Sequence, residues 1–316
     1  FPLPILEATM LPLASSLPAT TTPATHRAGY SRRQTYVLFI VPALVVIFAV
    51  IIFPWLFTVW MSMHDWHVGV RQAFVGFANF QNLARNTRFL ETIPRTLYFT
   101  VLSVVAPLIL GVFAAEVFHQ RFPLRGLLRG IYIVPMMTTP VAIALVFIMM
   151  MHPQLGVLNY LLSLVGLPPQ LWVYDRNTVI LALVLVETWQ WTPLIMLIVL
   201  GGLAALPTEP YESALIDGAS QWDMFRFITL PLVWPFLMVA IIIRAIDAIK
   251  SFDIIFVMTQ GGPGTASETI NIYLYLQAFS FFNVGHAAAV VIVFFAIIII
   301  LAIILLWTRE RSRWTR

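Results

Sequence analysis

Long, continuous apolar runs separated by short polar segments make up most of the sequence after residue 35. Six runs are long enough for a helix across the hydrocarbon core of a bilayer, which needs about 20 mainly apolar residues. They lie near residues 36–62, 95–118, 129–151, 179–206, 233–258 and 285–307. Apolar and polar residues do not alternate within the runs, as they would in the strands of a membrane β-barrel. The pattern therefore predicts an all-α polytopic membrane protein with six transmembrane helices.

The composition excludes a soluble domain. Hydrophobic residues make up 60% and charged residues 10% of the 316-residue chain, and the mean hydropathy is +0.90, whereas about 25% of the residues of a soluble domain are charged. The chain has no cysteine, which excludes a disulfide framework, a zinc–thiolate site and a cysteine nucleophile. Its net charge of +4 comes from arginines near the ends of the runs, which is typical of membrane topology and not of nucleic-acid binding.

The arginines also indicate the orientation, because cytoplasmic loops carry an excess of Lys and Arg. If the N-terminus is cytoplasmic, the cytoplasmic side carries Arg27, Arg32, Arg33, Arg121, Arg125, Arg129, Arg226, Arg309, Arg311, Arg313 and Arg316. The opposite side then carries only Arg71, Arg85, Arg88, Arg95 and Arg176. We therefore expect both termini to lie in the cytoplasm.

Three regions follow from the pattern. Residues 1–35 are rich in Pro, Thr, Ser and Ala and have no helical period, so we expect a mobile cytoplasmic tail. A cleaved signal peptide is the alternative, but the first apolar run starts only after Arg32 and Arg33 and is too long for a signal sequence. Residues 36–308 form the predicted transmembrane domain, and residues 309–316 form a basic cytoplasmic tail.

Residues 207–231, between the fourth and fifth runs, form the longest polar stretch on the predicted cytoplasmic side. Glu209 and Glu212 occupy the first turn of a predicted short helix, where negative charge is favourable, and Gly218 ends that helix. Ser220 and Asp223 have the spacing of an N-cap for a second short helix. An amphipathic connector lying on the membrane surface is the alternative interpretation.

The residue order of this stretch resembles the cytoplasmic coupling loop of ABC importer permeases. It reads Glu212-Ser-Ala-x-x-Asp-Gly-Ala-x-x-x-x-x-Phe-x-x-Ile-x-Leu-Pro231, and the family pattern is Glu-Ala-Ala, Gly and then Ile-x-Leu-Pro. Ser213 replaces an alanine, which is a mild departure. Three further motifs resemble the carbohydrate-uptake class, of the maltose type: Phe74-Val-Gly-Phe-Ala-Asn-Phe80, Phe252-Asp253 and Thr259-Gln-Gly-Gly-Pro-Gly264.

The resemblance implies the type I importer permease fold in a bacterial inner membrane. It also implies four partners besides the lipid bilayer: a second, homologous permease subunit, two ATP-binding cassette ATPase subunits and an extracytoplasmic solute-binding protein. Residues 207–231, here called the coupling loop, would dock onto an ATPase subunit. The candidate coupling residues are Glu212, Ala214, Asp217, Gly218, Ala219, Trp222, Phe225, Leu230 and Pro231.

The energy source has to lie on another chain. A P-loop needs Gly-x-x-x-x-Gly-Lys-[Ser/Thr], and the single lysine, Lys250, follows Ile249. We therefore expect a transport subunit without enzymatic activity and without a bound cofactor or metal, driven by ATP and Mg²⁺ on the partner ATPase subunits.

Charged and polar residues within two runs are the candidates for contact with cargo, because charge inside a membrane is unfavourable unless it has a function. Arg244 with Asp247, and Asp247 with Lys250, have the spacing of ion pairs on one helix, so a self-neutralised ladder is the alternative. Aromatic faces and hydrogen-bonding groups are what a sugar needs. These arguments select the following pathway residues: Glu187, Gln190, Trp191, Arg244, Asp247, Ser251 and Asp253. The resemblance to the maltose type implies Leu194 and Ala248 in addition.

The glycines of Thr259–Gly264 predict a chain reversal outside the membrane. We expect Thr269–Phe282, with Tyr273, Tyr275 and Phe279, to fold back as an aromatic platform that meets the binding protein; a plain exposed hairpin is the alternative.

The predicted function is uptake of a sugar, oligosaccharide, glycoside or polyol. An anionic derivative, of the sulfonated or glycerol phosphate type, is the first alternative, because Arg244 and Lys250 are cations within a span. A second is an ion-coupled secondary transporter with Glu187, Asp247 and Asp253 as ion sites. Nothing in the sequence positions a scissile bond or a metal for an intramembrane enzyme.

Overall fold

The computed structural model describes residues 32–69 and 72–311. The chain divides into two units, residues 1–54 and 55–316. The predicted N-terminal tail up to residue 31 and the last five residues of the C-terminal tail lie outside the described residues, and the first described helix begins at Arg32.

The described residues are mostly helical. The helices are α1 (Arg32–Ile47), α2 (Phe53–Ser62), α3 (Ala78–Arg85), α4 (Thr87–His119), α5 (Arg125–Met137), α6 (Pro140–Met150), α7 (Val157–Leu164), α8 (Val179–Leu203), α9 (Glu209–Ile216), α10 (Gln221–Met224), α11 (Leu230–Ala248), α12 (Asp253–Thr259), α13 (Ile270–Tyr275) and α14 (Val284–Arg311). Three π-helical segments, Phe48–Ile52, Phe225–Thr229 and Leu276–Ser280, continue α1, α10 and α13, and Trp172–Tyr174 forms a 3₁₀ turn. Two short antiparallel strands, β1 (His64–Asp65) and β2 (Ala73–Phe74), pair His64 with Phe74.

Five helical stretches are long and apolar enough to cross a membrane, and a bent helix pair makes up to six. The five are Phe39–Ser62, Thr87–His119, Val179–Leu203, Gln221–Ala248 and Val284–Glu310. The six predicted runs each coincide with one of these stretches or with the bent pair. The all-α polytopic prediction is therefore confirmed.

The continuous apolarity of the third run predicted a single helix, but the structure has two helices there. The run forms α5 and α6, which meet at an angle of 98°. Thr138 and Thr139 are extended, and Pro140 is the first residue of α6. The α conformation is sterically disfavoured for a residue before proline, so Thr139 is extended and a new helix starts at Pro140.

The fifth run was predicted to span 233–258, and both bounds are wrong. The helix starts at Gln221, passes through the π-helical segment Phe225–Thr229 and ends at Ala248. A turn at 249–252 separates it from α12. Apolarity continues across that turn, so hydropathy alone merges two helices into one.

The centre of the second unit is the packing of α8 against α4 and α11. α8 is the most buried of the candidate spans, and it is continuous although Pro193 lies inside it. A Cβ atom on Gly111 of α4 would lie 2.5 Å from the Ile195 Cβ, so only glycine allows this close approach. Buried residues of α4, α8 and α11, such as Ala115, Met196 and Leu237, form one apolar cluster beside it.

Candidate functional site

A buried ion pair joins two of the central helices. Glu187 of α8 and Arg244 of α11 are both buried, and the Arg244 Nη2 donates to Glu187 Oε2. The Ser251 hydroxyl, just beyond the end of α11, donates to the other carboxylate oxygen, Glu187 Oε1, at 2.8 Å. A charge that is removed from water needs a partner and further hydrogen bonds, and Glu187 has both. Three of the predicted pathway residues therefore meet at one point.

Arg244 has a second carboxylate partner, on its own helix. Its Nη1 lies 2.5 Å from Asp247 Oδ2, three residues further along, which confirms the first predicted intrahelical pair. The Asp247 side chain is 49% exposed, so this carboxylate faces open space. The second predicted pair is wrong: in the described part of the chain no ion pair joins Asp247 to Lys250, because α11 ends at Ala248 and Lys250 no longer follows the helical face.

Two neighbours on α8 complete the cluster. The Arg244 guanidinium lies over the Trp191 ring, 4.9 Å from its centroid, at cation–π distance. The buried Gln190 donates to the Thr138 carbonyl at 3.3 Å, at the bend between α5 and α6. The Gln190 Oε1 and Arg244 Nε atoms are buried without a hydrogen-bond partner. The cluster thus joins α8, α11 and the bent span, and keeps unused hydrogen-bonding capacity.

The remaining predicted pathway residues do not join these contacts. Leu194 is half-buried on α8, and Ala248 is buried in an apolar cluster with Val104 and Ala245. Asp253 is exposed in the first turn of α12. Sequence reasoning missed Thr138, although the polar pair before Pro140 interrupts an otherwise apolar run.

The coupling loop is exposed and ordered by local contacts. No residue of α9 is buried, and Gly218 has φ +78°, a left-handed conformation that ends the helix as predicted. Ser220 and Asp223 form a reciprocal capping box: the Asp223 N–H donates to Ser220 Oγ at 3.2 Å, and the Ser220 N–H donates to Asp223 Oδ2 at 3.1 Å. Both local predictions are confirmed.

The predicted second short helix is not separate from the membrane span. Gln221–Met224 passes through the π-helical segment into α11, with no interruption at Leu230-Pro231. Trp222 is 65% exposed and stacks on Phe225 at 5.6 Å between ring centroids. Among the candidate coupling residues, Glu212, Asp217, Gly218 and Trp222 are exposed, and Ala214, Ala219, Phe225, Leu230 and Pro231 are half-buried.

Residues 260–283, here called the GGPG segment, are held by distant parts of the chain. The Ser267 hydroxyl closes the predicted turn by donating to the Gly262 carbonyl at 2.6 Å. Glu268, 1% exposed, accepts two hydrogen bonds from Arg88 of α4, at 3.0 and 2.8 Å. The Ile270 N–H donates to Thr96 Oγ1 at 2.9 Å. The chain reverses here as predicted, but Glu268 and its neighbours are buried and not part of a plain exposed hairpin.

The sequence predicted that Tyr273 belongs to an exposed aromatic platform, and this prediction is wrong. The Tyr273 side chain is fully buried, and its hydroxyl lies 3.0 Å from His286 Nε2 and accepts from Asn86 Nδ2 at 3.3 Å. Burial raises the pKa of Tyr273 to about 12. Tyr275 is half-buried and Phe279 is exposed. Residues two apart lie on different faces of a helix, which separates Tyr273 from Tyr275.

The chain is similar to permease subunits of sugar transport systems. It is 37% identical over 262 residues to the trehalose/maltose transport system permease protein MalF of Thermococcus litoralis, which covers 83% of this chain and 88% of that protein. It is 31% identical over 260 residues to the sulfoquinovosyl glycerol transport system permease protein SmoG of Agrobacterium fabrum, with 81% and 84% covered. The trehalose transport system permease protein SugA of Mycobacterium tuberculosis is 30% identical, with 82% of both chains covered.

Solved structures share the fold. A chain in the crystal structure of a bacterial ABC transporter involved in the import of the acidic polysaccharide alginate matches with a TM-score of 0.76, covering 88% of this chain and 96% of that chain at 21% identity.

The sequence model of one protein family, the binding-protein-dependent transport system inner membrane component, matches residues 107–313, which is more than half of the chain. This protein therefore belongs to the binding-protein-dependent transport system inner membrane components and has the type I permease fold of ABC importers.

Proposed function

We propose that this chain is the translocating permease subunit for an uncharged sugar, oligosaccharide, glycoside or polyol. The observation that carries the proposal is the cluster around Arg244, where an aromatic face, a half-exposed carboxylate and a buried amide with unused capacity lie together. A sugar presents C–H faces that pack on aromatic rings and hydroxyl groups that need hydrogen-bond partners. The names of the relatives, trehalose/maltose and trehalose permeases, support the same class of cargo.

The charge balance of the cluster favours neutral over anionic cargo. Arg244 is already paired with two carboxylates, Glu187 and Asp247, so the three groups together carry an excess negative charge. The alternative cargo, a sulfonated or phosphorylated derivative, has two observations in its favour. One is the similarity to the sulfoquinovosyl glycerol permease. The other is Lys250, which is exposed and takes part in no ion pair of the described residues. Asp247, whose half-exposed carboxylate pairs with Arg244, would repel such an anion. An ion-coupled transporter, in turn, would leave the coupling loop without a role.

Transport of this kind needs an energy source, and we infer that two separate ATPase subunits supply it with ATP and Mg²⁺. The exposed Trp222, together with the half-buried Phe225, offers an apolar anchor for a groove on such a subunit. A second, homologous permease subunit would complete the pathway, and an extracytoplasmic binding protein would deliver the cargo. This arrangement puts the coupling loop and both termini in the cytoplasm, in agreement with the arginine distribution.

Reconstitution tests the proposal directly. The chain is purified with its co-purifying subunits, placed in liposomes, and given the binding protein together with radiolabelled maltose, trehalose, mannitol or glycerol 3-phosphate. We expect ATP-dependent accumulation of at least one of the three neutral compounds. Accumulation of glycerol 3-phosphate alone would support the anionic alternative, and accumulation driven by an ion gradient without ATP would refute the importer proposal.

Two tryptophans on α8 provide a matched pair for the site. Trp191 lies under Arg244, whereas Trp189 packs against Phe147 at 5.4 Å between ring centroids. Trp191→Ala should lower uptake, because it removes a face of the cluster, and Trp189→Ala should leave uptake near the wild-type rate. Equal uptake in the two variants would remove Trp191 from the pathway.

A further inference from the structure

Four aromatic rings form a continuous ladder beyond the end of α11. Phe252 stacks on Phe256 with ring centroids 5.1 Å apart, and Tyr275 packs against both rings at 5.2 and 4.7 Å. Phe279 continues the series, 5.1 Å from Tyr275. The rings form two pairs spaced four residues apart, one at the start of α12 and one running from the end of α13 into the π-helical segment. Residues four apart lie on the same side of a helix. These four residues are called the aromatic track below.

The rings of the track are accessible. Phe252, Phe256 and Tyr275 are half-buried, and Phe279 is 66% exposed. The Tyr275 hydroxyl forms no hydrogen bond with the described residues, in contrast to the buried Tyr273 hydroxyl, which lies between two partners. A phenol that serves only to fill a core normally finds a partner. Phe252 and Phe256 also pack against a buried apolar cluster, so the surface open to a ligand is the ring of Phe279 together with the accessible part of Tyr275 and its hydroxyl group.

The track adjoins the cluster around Arg244. Phe252 directly follows Ser251, whose hydroxyl donates to Glu187. The Asn271 side chain donates to the Lys250 carbonyl at 2.6 Å, which fixes the start of α13 beside the end of α11. The track thus begins one residue after Ser251, which bonds the buried Glu187, and ends at the exposed ring of Phe279.

We propose that the aromatic track is a second carbohydrate-binding site, which holds pyranose rings by stacking before they reach the Arg244 cluster. Aromatic faces take up the C–H faces of the sugar, while the outward hydroxyl groups stay hydrated or bond the Tyr275 hydroxyl. Stacking tolerates different sugars, because the aromatic face contacts the C–H groups of the pyranose ring and does not depend on the pattern of hydroxyl groups. The inference rests on the proposed function and extends it to residues of α12, α13 and the following π-helical segment.

Substitution at Tyr275 in the reconstituted complex tests the track, with uptake of radiolabelled maltose and trehalose as the readout. Tyr275→Leu keeps an apolar side chain and removes the ring, and we expect uptake at limiting cargo to fall by about two- to tenfold, as for the loss of one aromatic contact. Tyr275→Phe keeps the ring and should retain most of the uptake. Phe113→Leu removes an exposed ring of α4 outside the track and should leave uptake unchanged.

Three outcomes would overturn the proposal. Wild-type uptake rates in Tyr275→Leu would show that the ring does not hold the sugar. Equal loss in Tyr275→Leu and Tyr275→Phe would assign the effect to the hydroxyl group and not to stacking. Failure of the wild-type complex to take up either sugar would instead refute the proposed function for these disaccharides, and the track with it.

Discussion

The coupling loop and the GGPG segment are both polar connectors between long helices, but the chain holds them in opposite ways. The coupling loop depends on contacts within a few residues, namely the capping box of Ser220 and the turn at Gly218. The GGPG segment depends on contacts with residues far away in the chain, of which Arg88 with Glu268 is the strongest. The coupling loop exposes Trp222, whereas the GGPG segment buries Glu268 and Tyr273.

The difference indicates where a partner is needed. Trp222 remains 65% exposed, so this connector has an apolar side chain that its own chain does not cover. Glu268 and Tyr273 are already satisfied by α4 and α14. The buried pair anchors the GGPG segment to the long helices, whereas the uncovered Trp222 leaves the coupling loop suited to contact with a moving subunit. Four experiments, taken from the largest expected effect to the smallest, test this contrast.

Arg88→Met should destabilise the protein most, by about 3–5 kcal/mol, because it leaves the buried Glu268 carboxylate without its partner. Glu268→Gln should cost less, since the Arg88 side chain is 41% exposed and can be hydrated. Thermal unfolding in detergent measures both. Arg95→Met is the control: its partner Glu91 is 54% exposed, so the loss should be about 1 kcal/mol or less. Equal losses of stability for the two pairs would mean that the pair of Arg88 and Glu268 anchors the GGPG segment no better than a surface ion pair would.

Gly218→Val should impair the coupling loop alone. Nothing lies within 4 Å of a Cβ at this position, but φ is +78°, so the substitution introduces about 1–2 kcal/mol of backbone strain and no clash. We expect ATP-driven uptake to fall while the thermal unfolding of the transmembrane helices is unchanged. Gly126→Ala, in the helix α5 with open space around it, is the control. Normal uptake by a fully assembled Gly218→Val complex would exclude a coupling role.

Ser220→Ala should have a smaller, local effect. It removes one half of the capping box, which typically costs about 1 kcal/mol of helix stability. Faster amide hydrogen exchange at Gln221–Met224 should report the loss, with no change in the GGPG segment. Unchanged exchange at these residues would show that the helix start is held by the following span and not by its cap.

Trp222→Ala should change stability least, by about 0.5 kcal/mol or less, because the exposed ring loses only its stacking on Phe225. Its effect should appear instead in the stimulation of the ATPase subunits by loaded binding protein. A large drop in the unfolding temperature would mean that Trp222 is a structural residue, and the contrast between the two connectors would then disappear.

Local patterns were predictable from the sequence, and contacts across the chain were not. The helix end at Gly218 and the cap at Ser220 depend on neighbouring residues, so both could be recognised in the sequence. The pair of Arg88 and Glu268 joins positions 180 residues apart, and neither residue has a feature that identifies its partner. The same holds for Glu187 and Arg244: each was recognised as a membrane-embedded charge, but only the fold brings them together.

Hydropathy also misjudges where helices end. It extended the fifth span past Ala248 and treated α5 and α6 as one span, because it counts apolar residues and ignores backbone geometry. The bend could nevertheless have been predicted from the sequence, because the residue before a proline, here Thr139, is disfavoured in the α conformation. Tyr273 and Tyr275 could not be separated in the same way, because the sequence did not tell which face of α13 packs inward.

The π-helical segment at Phe225–Thr229 has a geometric consequence for the whole of the fifth span. The Leu230 N–H bonds to the Phe225 carbonyl, five residues back, so this turn contains one residue more than an α-helical turn. One residue corresponds to about 100° of rotation in an α-helix. A helical wheel drawn from the apolar face of α11 therefore points Trp222 about a quarter turn away from its true direction. The extra residue therefore sets the direction in which Trp222 points separately from the direction of the face of α11 that packs in the membrane. Deletion of a single residue in this turn would rotate Trp222 relative to that face.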